Sequence, residues 1–219
     1  ARARGAWIHV DGAFGLWARV AEQRRSLVEG VEQADSWATD AHKWLNVPYD
    51  NGVAIVRDAA ALRGAMTVGG EYLIKGAGEV RDELDRVPAF SRRARGFTVY
   101  AALRSLGRRG AAELIERCCA VARRMADRLA AAPGVAILND VVLNQVLVRF
   151  TPPGGGDADA FTRAVVDRVQ ADGTCWLSGS TWRGQAVMRI SVSGWATTER
   201  DGDRSVAAIL AAARGDPGG

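Results

Sequence analysis

Lysine is nearly absent from this chain of 219 residues: Lys43 and Lys75 are the only two. Histidine is as scarce, with His9 and His42 alone, and cysteine stands at three. So few histidines and cysteines, without paired ligand spacing, leave no zinc site of the common kinds, and no metal centre is expected. Cys118 and Cys119 are adjacent within a helical pattern, and Cys175 lies in an apolar stretch. That placement excludes a disulfide scaffold and reads as small buried hydrophobes in a reducing cytoplasm. No apolar run approaches the ~20 residues that a spanning helix needs, so no membrane segment is expected. The opening residues, Ala1 to Trp7, hold neither an initiating Met nor the apolar core of a signal peptide. They run almost at once into a strand-like sequence, and the chain reads as cut from a longer polypeptide.

What is present is ordinary for a globular protein: hydrophobic residues make up 48% and charged residues 25%. The length supports a real core and one or two domains. The formal net charge of +4 comes almost wholly from dispersed arginine. Arginines scattered over amphipathic helices are solvated faces rather than a phosphate-tracking stripe, so no nucleic-acid partner is expected.

Strand and helix signals alternate over the first hundred residues, which indicates an α/β layer fold. Trp7 to Val10 reads as a buried strand ending at Asp11-Gly12-Ala13, and a helical stretch follows from about Leu16 to Glu29. Ala34 to Thr39 and Gly52 to Val56 are further strands. Residues 68–91, with glycines among charges, read as a long, partly mobile loop. A helix from Phe97 to Leu106 breaks at Gly107-Arg108-Arg109-Gly110. The next carries Leu114, Cys118, Val121, Met125 and Leu129 at helical spacing and stops at Pro133-Gly134. The remainder reads as strand (Val142 to Phe150), helix (Asp157 to Ala171), strand (Thr174 to Leu177), strand (Ala186 to Ser193) and a helix capped by Thr198. Residues 1–96 thus form part of a large domain, 97–132 bridging helices and 133–219 a small α+β domain.

Asp11 and Lys43 each sit just past a strand, where the open crevice of an α/β sheet binds ligands. Beside His42, Trp44 and Leu45 the lysine is placed at a partly dry site, where a neutral amine is a better nucleophile. A carboxylate at a neighbouring strand end is what a pyridine nitrogen needs to stay protonated. The pair permits carbonyl chemistry without demanding one cofactor. An Asp before Gly is also a common turn former, and a lone Lys is commonly a solvated one.

Two stretches carry a resemblance to a known family. His9-Val10-Asp11-Gly12-Ala13-Phe14-Gly15 and the segment from Ala34 to Asp50, with Ser36-Trp37 and Lys43-Trp44 at the signature spacing, resemble the group II pyridoxal-dependent decarboxylases. The resemblance continues through Tyr72-Leu73, Ser91-Arg92-Arg93 and Arg189-Ile190-Ser191-Val192-Ser193. It implies the type I fold of pyridoxal 5'-phosphate enzymes, a homodimer with active sites at the subunit interface, and decarboxylation of an amino acid to an amine. By the same resemblance Lys43 matches the lysine that holds the cofactor as a Schiff base, and Asp11 the carboxylate that pairs with the pyridinium nitrogen. Ala13 matches the small residue against the ring face, and His42 the histidine near the phosphate and Schiff base. Tyr72 matches the loop tyrosine that returns a proton to the substrate carbon, and Arg92 an arginine that is structural or substrate-facing.

Departures bear on these expectations. The family's phosphate-gripping loop and ring-stacking histidine lie upstream of anything matched here, so the isolated chain is expected to bind the cofactor weakly and turn over little. Gly12 stands where alanine is commoner, a mild change. The acidic loop from Gly70 to Val87 does not name a substrate. His9 reads as a satisfied core histidine, and Arg189 as a structural ion pair, because a carboxylate that must leave is poorly served by a clamp. An aminotransferase or carbon–carbon lyase using the same lysine, and a non-catalytic dimerising piece, remain as rivals.

Overall fold

The computed structural model describes residues 2–67, 83–89 and 91–215. The chain forms two compact units, one of Ala1–Arg19 with Gln23–Gly107, the other of Val20–Glu22 with Arg108–Gly219.

The first unit is built on a three-stranded sheet in the order β1 (His9–Asp11), β2 (Ser36–Asp40), β3 (Gly52–Val56). β1 runs parallel to β2 with His9 opposite Ser36 and Asp11 opposite Ala38, and β3 is antiparallel with Gly52 opposite Asp40. The ladder continues past β1: Gly12 N–H donates to Ala38 O at 2.8 Å, and Asp40 N–H to Ala13 O at 3.2 Å. Between β1 and β2 the expected α-helix is replaced by short 3-10 turns at Gly15–Val20, Glu22–Val28 and Val31–Gln33. The fully buried residues there, Ala18 and Ala21, are three apart, the repeat of a 3-10 helix and not of an α-helix.

A helix that the sequence reading does not contain, α1 (Ala59–Met66), follows β3. Asp58 caps it, accepting the N–H groups of Ala60 and Ala61. Of the expected loop at 68–91, residues 68–82 and 90 lie outside the described residues, and Glu83–Arg86 is a 3-10 turn. α2 (Arg95–Ala130) is interrupted at Gly107, whose φ of 63° and ψ of −178° leave the helical region where the sequence predicts a break. Before the break, Val99, Ala102 and Leu106 pack at helical spacing against a buried cluster of Ala41, Leu45 and Val47, joined by Trp17 and Val53.

In the second unit, α2 beyond Gly107 buries Leu114, Ile115, Cys118, Val121, Ala122, Met125 and Leu129, the stripe its periodicity foretells. The antiparallel sheet has the order β4 (Val135–Ile137), β5 (Gln145–Phe150), β7 (Gln185–Ser191), β6 (Ser178–Trp182). β5 alternates, with Val146, Val148 and Phe150 inward. Arg183 and Gly184, both at positive φ, turn the β6–β7 hairpin. β4 is an edge strand absent from the sequence reading. Thr174 to Leu177 is not a strand, because Leu177 C=O is taken by the Gln170 side chain at 2.8 Å, and pairing starts at Ser178. α3 (Ala158–Asp172) and α4 (Glu199–Arg214) complete the unit. α4 opens with a capping box between Thr198 and Asp201. Arg124 and Arg128 clasp Asp203, and their hydrogen bonds hold its carboxyl far below the usual range. Cys118 and Cys119 are buried as expected; Cys175 is partly so, and burial pushes its thiol up.

Candidate active site

Because β1 and β2 are parallel, their carboxyl ends open on one edge of the sheet. Asp11 ends β1 and is exposed. Its Oδ1 accepts the Ala13 N–H at 3.2 Å, and among the described residues no cation pairs with it. A Cβ on Gly12 would lie 2.7 Å from Leu16 Cβ and 3.3 Å from Ala38 O, so the backbone passes β2 at a distance that suits glycine. The absence of a methyl there is a packing requirement of this chain. Ala13 is half-buried and tied to β2 through its carbonyl.

Lys43 lies three residues past β2, in a turn held from both sides. Ala41 and His42 donate their N–H groups to Asn51 O at 2.9 and 3.3 Å, and Ala41, Leu45 and Val47 face the buried cluster against α2. Asn51, 1% exposed, donates from Nδ2 to Pro48 O at 2.9 Å and to Thr98 Oγ1 at 3.1 Å, which fixes the loop to α2. On this frame Lys43 Nζ meets Asp40 Oδ2 at 2.9 Å and stands 5.2 Å from the Phe14 ring centroid. Phe14 contacts Trp44 edge-on at 5.7 Å, and Trp44 is fully buried. The Nδ1 of His42 lies 3.0 Å from both N and O of Asn51. When that N–H donates, the ring proton sits on Nε2, 3.7 Å from Asp40 Oδ2. The Tyr49 ring lies 4.3 Å from the imidazole, centroid to centroid.

Four of the sequence-predicted residues, Asp11, Ala13, His42 and Lys43, therefore gather at one sheet edge. Tyr72 lies outside the described residues. Arg92 is exposed, and its neighbours make the contacts: Arg93 and Arg95 both grip Asp50, and the Arg95 hydrogen bond draws that carboxyl down to about 2. His9 is satisfied, by Ser36 Oγ at 2.7 Å, but it is exposed and not a core residue. Arg189 is exposed on β7 and makes no ion pair among the described residues; on the neighbouring β5, Arg149 pairs with Asp159. Sequence reasoning missed Phe14, Asn51 and above all Asp40. Its one signal was an acidic residue three positions before the lysine.

A lysine amine, a carboxylate at the next parallel strand end and an aromatic wall suit carbonyl chemistry on a flat ring. Comparison with known proteins gives the family. Residues 1–151 match the model of the pyridoxal-dependent decarboxylase conserved domain. The chain belongs to the pyridoxal-dependent decarboxylase family. Among curated relatives of this decarboxylase-family chain, tryptophan decarboxylase 1 of Oryza sativa subsp. japonica is 30% identical over 198 residues, 85% of this chain and 38% of the relative. The 4-hydroxyphenylacetaldehyde synthase of Rhodiola rosea is 29% identical over 201 residues, 90% of this chain and 40% of the relative. The crystal structure of Oryza sativa TDC with PLP and tryptamine superposes with a TM-score of 0.90 at 26% identity, covering 97% of this chain and 46% of that one. The chain thus spans less than half the length of the relatives it matches, and its fold is that of the type I pyridoxal-phosphate enzymes. Among the described residues no helix is long and apolar enough to cross a membrane.

Proposed function

We propose that the protein is a pyridoxal 5'-phosphate-dependent amino-acid decarboxylase that releases an amine and carbon dioxide, with Lys43 as the lysine that holds the cofactor. The observation that carries this reading is the shared sheet edge. Lys43 and Asp11 follow adjacent parallel strands whose register is fixed by Asp11 opposite Ala38. The residues also fit the group. Lys43 offers an amine to its aldehyde, Asp11 a carboxylate without a cationic partner among the described residues, and the half-buried Ala13 room for a flat ring. Thr39 Oγ1 and Trp44 Nε1, which bracket the turn, are buried without a hydrogen-bond partner among the described residues.

When bound, pyridoxal phosphate supplies an electron sink conjugated to the substrate carbon. Lys43 would hold the aldehyde end through its amine. Asp11 would keep a proton on the ring nitrogen, and Ala13 would leave room for the ring. His42, oriented by Asn51, stands beside the lysine and steadies the groups around it. Tyr72 delivers a proton to the carbon that carbon dioxide leaves. Arg92 serves the substrate side or the loop.

By the same reading the working form is a cytoplasmic homodimer. Its large domain takes in residues 1–96, 97–132 bridge, and 133–219 form the small domain. Support for dimerisation comes from one face of α2, where Phe97, Tyr100 and Leu103 recur at helical spacing with 72%, 63% and 40% of their surface exposed. Sedimentation with and without cofactor checks it.

The deciding test is borohydride trapping. The protein is mixed with pyridoxal 5'-phosphate, reduced and digested, and the adduct is located by mass spectrometry. An adduct on the Lys43 peptide, absent from Lys43→Ala, is the expected result. Label shared with Lys75 and the N-terminus overturns the reading. Products then separate the chemistries: amine with carbon dioxide supports decarboxylation, whereas a keto acid or an aldehyde argues for a different reaction.

A further inference from the structure

Nothing in the family comparison singles out Asp40, yet it is the side chain that touches the Lys43 amine. We propose that Asp40 is a positioning residue: its carboxylate selects one orientation of the Lys43 side chain and so presents Nζ for bonding to the cofactor. The inference rests on the reading of Lys43 given above.

The main chain of Asp40 is held at both its N–H and its C=O. Its N–H donates to Ala13 O at 3.2 Å, its C=O accepts the Trp17 indole N–H at 3.2 Å, and its cross-strand partner is Gly52. A Cβ on Gly52 would lie 3.7 Å from Asp40 Oδ1, so that oxygen lies over the Gly52 backbone at ordinary contact distance. With one oxygen over Gly52, the other is turned to the site, 2.9 Å from Lys43 Nζ and 3.7 Å from His42 Nε2. The backbone of Asp40 is thus fixed in the sheet and its carboxylate hangs from a short stem, whereas the group it meets hangs from a long one. A lysine stem has four rotatable bonds, and the side chain of Lys43 is 34% exposed. Left alone, its amine would sweep a wide volume; on Asp40 it stays beside the Phe14 ring. Ion pairs this open to solvent add little to stability, so the contact acts on geometry.

The experiment has two arms. In the first, the protein is isotope-labelled at lysine and the relaxation of the Lys43 ε-methylene is recorded without cofactor. Restricted motion is expected in the wild type, with values approaching those of the chain in denaturant for Asp40→Asn. In the second, the initial rate of Lys43 trapping by pyridoxal 5'-phosphate and borohydride is measured. Asp40→Asn is expected to slow it about tenfold, the scale on which misplacing a reacting group acts. Asp40→Glu should restore part of the rate, and melting temperatures should hardly move. A wild-type ε-methylene as mobile as in denaturant overturns the proposal without any variant, and so does an Asp40→Asn protein with unchanged relaxation and trapping. An ordered methylene on a lysine that gives no adduct refutes the cofactor reading instead, and with it the role given to Asp40.

Discussion

Asp11 and Asp40 both close a strand at the same sheet edge, but their surroundings separate them. Asp11 is exposed, and among the described residues its carboxylate bonds only the backbone N–H of Ala13, whereas Asp40 is held by Ala13 O at its N–H and by the Trp17 indole at its C=O, and is bound to a lysine. Removing the first should therefore spare the fold and harm the chemistry. Asp11→Ala is expected to change stability by less than about 1 kcal/mol in urea unfolding. In steady-state assays of the holoenzyme it should lower kcat by about 10²-fold or more, as losing one preorganised electrostatic partner does. Equal losses in both measurements would reassign Asp11 to structure. The places of Lys43 and Asp11 just past their strands were legible in the sequence, and it was the motif resemblance, beyond residue type, that singled them out. Asp40 was not legible, since a contact between positions three apart beyond a strand depends on how the chain turns. That turn is set by Asn51, eight residues after the lysine, and by helix α2, distant in sequence.

At the scale of elements, glycine and capping residues make the sharpest tests. Gly12→Ala would press a methyl against Leu16 Cβ and should cost about 1–3 kcal/mol in chemical denaturation, the usual penalty of overpacking. Thr198→Ala removes the cap that Asp201 N–H and the Asp201 carboxylate share, with an expected loss of about 1 kcal/mol. The long helix, its break at Gly107, and α3 and α4 were all readable, because apolar periodicity and caps agree there. The segment after β1 was misread as α-helix. Its period is three rather than 3.6 residues, and in a short amphipathic stretch the two look alike. β4 escaped because three residues at an edge carry too little alternation to register.

Across the molecule, the two units differ in how much core they own. Among the described residues the second contains most of the fully buried aliphatic side chains, including Leu129, Val146, Val148, Val165, Met188 and Ile209. Amides of β5, β7 and α2 beyond Gly107 should therefore exchange more slowly than those of β1 to β3 when followed by mass spectrometry, and the reverse order would contradict this division. Acid acts on the first unit through Asp50. Its folded carboxyl lies near 2 against 3.8 for the free group, because Arg95 and Arg93 hold it ionised. A depressed carboxyl stabilises above its unfolded value and loses that contribution as protons return. The stability difference between wild type and Asp50→Asn should thus be full above pH 4 and fade towards pH 2, as read by denaturant titrations at each pH.

The register of β1 on β2 has one more consequence, for how such a chain can vary. The distance in sequence between Asp11 and Lys43 does not set their distance in space; the ladder from His9 opposite Ser36 to Asp11 opposite Ala38 does. Residues gained or lost among the turns between Val20 and Gln33 change the length of a detour and leave both strand ends where they are. A single residue inserted between Ser36 and Lys43 would rotate the lysine to the other side of the sheet or shift it along the edge. Descendants of this sequence are free to drift in length on one side of Ser36 and are held to the letter on the other.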